Sequence, residues 1–127
     1  MLKKFSAENF KGFDTPFVLD LGSTNNYGFH SELIQNSCIT KAMIYGNNGN
    51  GKSNLGLALF DIIFHLTDKE NLRNSYHPYL NLSSEKSFAE FLYEFSFDGH
   101  TLVYRYKKSK PDCLLFEDLF IDDKEVI

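Results

Sequence analysis

The sequence predicts a mixed α/β fold: an α/β half over residues 1–67, a connection over 68–87 and an antiparallel β-lobe over 88–127. Three observations carry this. Leu55, Ala58, Leu59, Ile62, Ile63 and Leu66 recur at helical spacing directly behind a glycine-rich run. Beyond residue 88 the apolar period shortens to two. Within that second region Asp98-Gly99, a pair suited to a tight hairpin turn, separates two alternating runs.

Each element follows from its own pattern. "LKKFSAENF" places Phe5 and Ala7 on one face and Lys4, Ser6 and Glu8 on the other, as in a half-buried strand. "KGFDTP" supplies a turn, and "FVLDL" repeats the alternation through Phe17, Leu19 and Leu21. From Gly22 to Ser37 the chain is polar, with Asn25, Asn26 and Gly28, and reads as a long surface loop. "CITKAMIY" then reads as a buried strand that empties into the glycine-rich run, and Lys52 to about Thr67 as an amphipathic helix. Asp68 to Ser87, with Pro78, is a polar connection. "FLYEFSFDGHTLVYRYK" reads as a hairpin with Phe91, Tyr93, Phe95 and Phe97 on one face and Glu94 and Ser96 opposite. "CLLFEDLFI" and "KEVI" follow as two more strands around Asp122-Asp123. The last residues lie inside a strand-like pattern, as expected of a fragment.

With 127 residues, 13 Phe, 7 Tyr and 43% hydrophobic residues, the composition is that of one globular domain. A net charge of -4 argues against this chain alone clamping a phosphate backbone. Cys38 and Cys113 lie far apart, match no metal spacing and read as reduced thiols in a cytoplasmic protein. No apolar segment follows the basic start, and no run is long enough to span a bilayer, so no membrane partner is expected. His30, His65, His77 and His100 show no metal-ligand spacing.

The run Gly46-Asn47-Asn48-Gly49-Asn50-Gly51-Lys52-Ser53 satisfies G-x-x-x-x-G-K-[ST], the P-loop. Glycines let successive N–H groups turn inward, and the helix that follows adds its N-terminal N–H groups and positive dipole end. The Lys52 ammonium suits β- and γ-phosphate oxygens, and the Ser53 hydroxyl is a hard oxygen ligand suited to Mg²⁺. A chance match in a chain this long is on the order of one in a few hundred. The alternative is a fortuitous glycine-rich turn, against which the expected strand before and helix after both speak.

The variant G-x-N-G-x-G-K-S-N, ending on Asn54, resembles the ATP-binding heads of the SMC, RecF and OLD group of ABC-type ATPases. "FSAENFKGF" is similar to the opening strand of those heads. The nearest resemblance is to RecF/OLD-like AAA family ATPases of prokaryotic defence and mobile-element loci, with weaker matches at Tyr104-Arg105-Tyr106 and Glu117-Asp118-Leu119. It implies a partial P-loop NTPase (ABC-type) core with an antiparallel β-lobe, ATP and Mg²⁺ as cofactors, and a nucleotide site of Gly46, Asn47, Asn48, Gly49, Asn50, Gly51, Lys52, Ser53 and Asn54. In it Lys52 is the catalytic residue and Ser53 the metal ligand. It further implies as partners the C-terminal half of the same head, a second copy in a homodimer, and DNA or a nuclease or toxin effector, in phage defence or DNA maintenance. The alternative is a nucleotide-responsive interaction module with little hydrolysis.

Several parts that such a head needs have only imitations here. The single glutamine, Gln35, precedes the loop, so no Q-loop is present. "LLFED" resembles a Walker B strand, but its acids come as Glu117-Asp118 and it follows a hairpin, so a lobe strand with solvated acids is the preferred reading. "LSSEK" lacks the glycines of a signature motif and reads as a polar loop. Lys107, Lys108 and Lys110 read as a solvated loop, or else as a contact to a DNA backbone. His65 reads as a partly buried or surface histidine, with a switch histidine as the other reading. Tyr45 and Lys11 are placed near the nucleotide, with core packing and an exposed charge as their other readings.

Overall fold

A computed structural model describes residues 1–24, 28, 30–67 and 77–127. Its main body is one six-stranded sheet in the order β2-β1-β5-β6-β7-β8, with every neighbouring pair antiparallel. The strands are β1 (Leu2–Glu8), β2 (Phe17–Asp20), β5 (Ala89–Phe97), β6 (His100–Lys110), β7 (Cys113–Ile121) and β8 (Lys124–Glu125). A two-stranded hairpin, β3 (Ile34–Gln35) with β4 (Cys38–Ile39), and one helix, α1 (Lys52–Thr67), complete the described elements. The fold is therefore mixed α/β and dominated by antiparallel sheet. β1 joins β5 directly, so a single sheet runs through both regions read from the sequence.

Turn chemistry explains the local connections. Asp98-Gly99 and Asp122-Asp123 each link strands through two residues with positive φ, the conformation a two-residue hairpin needs to match strand twist. Asn36-Ser37 closes the small hairpin in the same way. Short polar side chains tolerate this region better than most.

Register stacks aromatic rings in rows across the sheet. Phe5 lies opposite Tyr93, which lies opposite Tyr104, and Ala7, Phe91 and Tyr106 form the next row. These residues are buried, and Leu55 and Ala58 of α1 join them in one core cluster. The helix thus lies on one face of the sheet, and the alternation read in "LKKFSAENF" puts Phe5 and Ala7 on that face.

The turn after β1 is more specific than its sequence indicates. Asn9 is fully buried in a left-handed conformation, and its Nδ2 donates to the carbonyls of Lys86 and Phe88 at 2.8 and 2.7 Å. Phe10 and Phe13 exchange backbone hydrogen bonds around Lys11-Gly12. A Cβ at Gly12 would come within 3.1 Å of Asn54 Nδ2, so this turn abuts the start of α1.

Four expectations are corrected. Residues 40–47 form no strand: Met43 and Tyr45 are 86% and 88% exposed, and the Cys38–Ile39 pairing is all that remains of the expected strand. A strand persists only where a neighbour takes its N–H and C=O groups, and no described strand lies alongside 43–45. The stretch 22–37 is not all loop, since it contains a 3₁₀ turn (Ser31–Leu33) and β3; Asn25 and Asn26 lie outside the described residues. The connection is only partly peripheral. Residues 68–76 lie outside the described residues, but Tyr79 is buried in the core and its carbonyl accepts from Lys11 N at 3.0 Å. Finally, Lys107, Lys108 and Lys110 lie on β6, not in a loop, because the strand continues to Lys110.

Among the described residues no helix is long and apolar enough to cross a membrane. Cys38 and Cys113 are free.

Candidate functional site

The glycine-rich loop ends on the first turn of α1. Gly49 and Gly51 have φ of 88° and 82°, a region where an L side chain is strained. A Cβ at either would meet no protein atom within 4 Å, so conformation rather than crowding within the chain calls for glycine. Asn50 N donates to Asn47 O at 3.3 Å, tightening the loop, and Leu55 N donates to Gly51 O at 2.9 Å, which opens the helix. Among the described residues, no backbone carbonyl accepts from the N–H groups of Gly51, Lys52, Ser53 or Asn54. These are the four donors that the first turn of any helix leaves over.

Lys52 folds back across the loop. Its ammonium donates to the carbonyls of Gly46 and Asn47, each at 2.7 Å. A concavity of about 270 Å³ is lined by Asn48, Gly49, Gly51, Lys52, Ser53 and Asn54. Gly46, Asn47 and Asn50 lie outside that lining, where they shape the loop and hold the lysine. The first turn of α1 carries no acidic residue, so the helix dipole and Lys52 act with the same sign. The loop is exposed, and Ser53, also exposed, lines the same concavity as Lys52. This arrangement can receive a compact anion bearing several oxygens.

The remaining candidates separate from this site. No described group of three or more His, Cys, Asp or Glu residues could hold a metal. The Ser53 hydroxyl is one hard oxygen that this loop could offer to a cation such as Mg²⁺, an ion that usually keeps several water or phosphate ligands. Glu117 accepts from Tyr104 Oη at 2.7 Å, and Asp118 is buried in a bidentate pair with Arg105. Both acids of "LLFED" are thus engaged within β6 and β7, although only Asp118 departs from the expected solvated state. Gln35 is exposed on β3. Tyr45 is exposed and does not pack in a core, whereas Lys11 is half-buried, with desolvation lowering its pKa. The Lys11-Gly12 turn reaches the site through the approach of Gly12 to Asn54.

A buried polar cluster under α1 went unread in the sequence. Asp61, 1% exposed, accepts from Lys108 Nζ at 3.0 Å and from Tyr106 Oη at 2.8 Å. Tyr93 Oη donates to the Ala58 carbonyl at 2.9 Å and lies 3.3 Å from Tyr106 Oη. One turn on, His65 stacks on Tyr106 and its Nε2 lies 2.8 Å from Tyr104 Oη. Burial drives the Tyr106 hydroxyl far above its usual pKa, helped by Tyr93 and Asp61, so it remains a donor. Burial, and then Lys108, lowers the pKa of His65. Two signals were available. Asp61 continues the Leu55, Ala58 stripe at the next helical step, and Lys108 shares the alternation of Tyr104 and Tyr106.

Compared with protein-family models and with curated proteins, the sequence matches none.

Proposed function

We propose that this chain is the ATP-binding N-terminal part of an ABC-type ATPase head of the RecF/OLD-like group. The observation that carries the reading is the loop itself: two left-handed glycines, a lysine folded over the loop and a serine beside it, all on an unsatisfied helix N-terminus. Lys52 exchanges its two carbonyl partners for β- and γ-phosphate oxygens and neutralises charge there. Backbone N–H groups of the loop and first helical turn orient the phosphates. Mg²⁺, when bound, draws further charge from the phosphates, with Ser53 as its anchor on this chain.

Two surfaces support the view that the head is completed by further chain. Phe60, Ile63 and Leu66 form an exposed apolar face on α1, and Met43, Ile44 and Tyr45 are exposed just before the loop. Apolar faces of this kind mark interaction sites. In this reading the C-terminal half of the head supplies strands beside residues 43–45 and the carboxylates that activate water. Two complete heads then sandwich ATP as a homodimer, and the cycle gates DNA binding or a nuclease or toxin effector in phage defence or DNA maintenance.

Taken alone, the chain binds Mg-ATP weakly and does not turn it over, because Glu117 and Asp118 are already held by Tyr104 and Arg105. Titration with Mg-ATP, beside a single-turnover hydrolysis assay, tests this. Absence of binding removes the nucleotide reading. Hydrolysis lost on Glu117→Gln would instead make "LLFED" a functional acid pair.

A further inference from the structure

We propose that Asp61 and Lys108 are positioning residues for the nucleotide site: their buried bond fixes the rotation of α1 on the sheet and so aims the loop and first turn. The inference rests on the proposed function but begins from an ambiguity in the helix itself. Leu55 and Ala58 face the sheet, yet Phe60, Ile63 and Leu66, on the outer side, are just as apolar. Burial of apolar area is non-directional, so it does not choose between these faces. Turning the helix by one residue, about 100° at 3.6 residues per turn, would still bury large apolar side chains.

The polar contacts do choose. Asp61 and Lys108 are both 2% or less exposed, and their bond has one geometry. Tyr106 binds the same carboxylate oxygen, and Tyr93 reaches the Ala58 carbonyl from the neighbouring row of rings. Rotating α1 by one residue would take the carboxylate away from both donors and leave an ammonium buried alone, which is far costlier than misplacing a methyl group. Asp61 lies about 12 Å along the axis from Ser53, at about 1.5 Å per residue. Over so short a helix a rotation fixed at Asp61 is fixed at Lys52 and Ser53 as well. Buried ion pairs seldom add stability over apolar residues of like volume, and their best-attested use is to specify register.

The test compares the full chain with two double variants, reading thermal melting, amide NMR shifts and Mg-ATP titration. Asp61→Leu/Lys108→Met removes the directional bond while keeping volume. It is expected to melt at or above the wild-type temperature, to shift the amides of Gly51 to Leu55, and to bind Mg-ATP at least tenfold more weakly. Asp61→Asn/Lys108→Gln keeps a hydrogen-bonding pair without charge and is expected to retain the wild-type amide pattern. A folded apolar variant with wild-type shifts in that segment would overturn the proposal. So would equal displacement in both variants, which would mean that packing alone governs the site. If the wild type itself bound no Mg-ATP, the proposed function would fall, while the amide shifts would still decide the positioning role.

Discussion

Residues 89–125 and residues 38–51 make an instructive contrast. Each contains apolar segments that read as strands, yet only the first region forms them, at full length apart from "KEVI", of which Lys124–Glu125 is strand. In the β-lobe every strand has its partner one short turn away, so pairing is satisfied within about forty residues of chain. The segment before the glycine loop has the composition of a buried strand but no described neighbour, and it leaves Met43 and Tyr45 in solvent. Apolar character alone does not make a strand; a free edge beside it does. One region finds its strand partners within itself, and the other presents the candidate site.

If that division is right, substitutions in the two regions should act on different measurements. The largest effect is expected at the joint between helix and sheet. Lys108→Ala leaves Asp61 buried and uncompensated and should cost about 3–5 kcal/mol of stability in urea denaturation. A loss below about 1 kcal/mol would show that the pair is wetter than its burial indicates.

Lys52→Ala should do the reverse. Its bonds go to carbonyls of an exposed loop, so the melting temperature should hold. Loss of a lysine–phosphate contact should weaken Mg-ATP binding by about 3 kcal/mol, roughly a hundredfold. Calorimetric titration that found equal affinities for wild type and variant would remove the loop from the binding site.

A matched pair of glycines sharpens the comparison at a smaller scale. Gly99 and Gly49 have φ of 84° and 88°, and neither would meet an atom on gaining a Cβ. Alanine at either forces a left-handed residue, costing about 1–2 kcal/mol. At Gly99 the cost should appear in global stability, because the turn holds β5 to β6. At Gly49 it should appear mainly as weaker nucleotide binding, with melting little changed. Equal losses of stability at both would mean that the loop is part of the cooperative unit.

The smallest effect concerns pH. His65 has a folded-state pKa below its ordinary value of 6.5, chiefly through burial. The unfolded chain therefore binds the extra proton first, and the stability from neutral His65, complete above about 6.5, is lost as pH falls from there to the folded value. Melting temperature should decline between pH 7 and 5. His65→Phe keeps a ring against Tyr106 without a titrating group and should flatten that part of the curve. An unchanged slope would assign the decline to other groups.

What was legible in the sequence follows the same division. Helix α1 is found at the residues its spacing indicated, and Asp98-Gly99 is the tip of its hairpin, because both are set by neighbours in sequence. The loop residues were legible as a motif, but the return of Lys52 to Gly46 and Asn47 was not. The failures are long-range. Tyr79 sits in a polar stretch and becomes core only because Phe10 and Phe91 stand beside it. Three lysines near a proline look solvated until the strand's alternation turns Lys108 inward to Asp61. A charge in a helix's apolar stripe, and a lysine on the same alternation as Tyr104 and Tyr106, were the two local signs of that pair.

The pairing of β1 with β5 also bears on how the chain is made. Phe5 finds its partner in Tyr93, whereas β5 through β8 are linked by tight turns. During synthesis the meander can zip within microseconds of emerging, each hairpin on its own. β1, completed long before, must wait for most of the chain and then pay a loop-closure entropy that grows with the logarithm of the intervening length. β2 can close one edge of β1 early, but until β5 arrives the other edge, with Phe5 and Ala7, stays open, the kind of edge that nascent-chain chaperones and aggregates both capture. The sheet is thus joined last in its interior, where β1 meets β5.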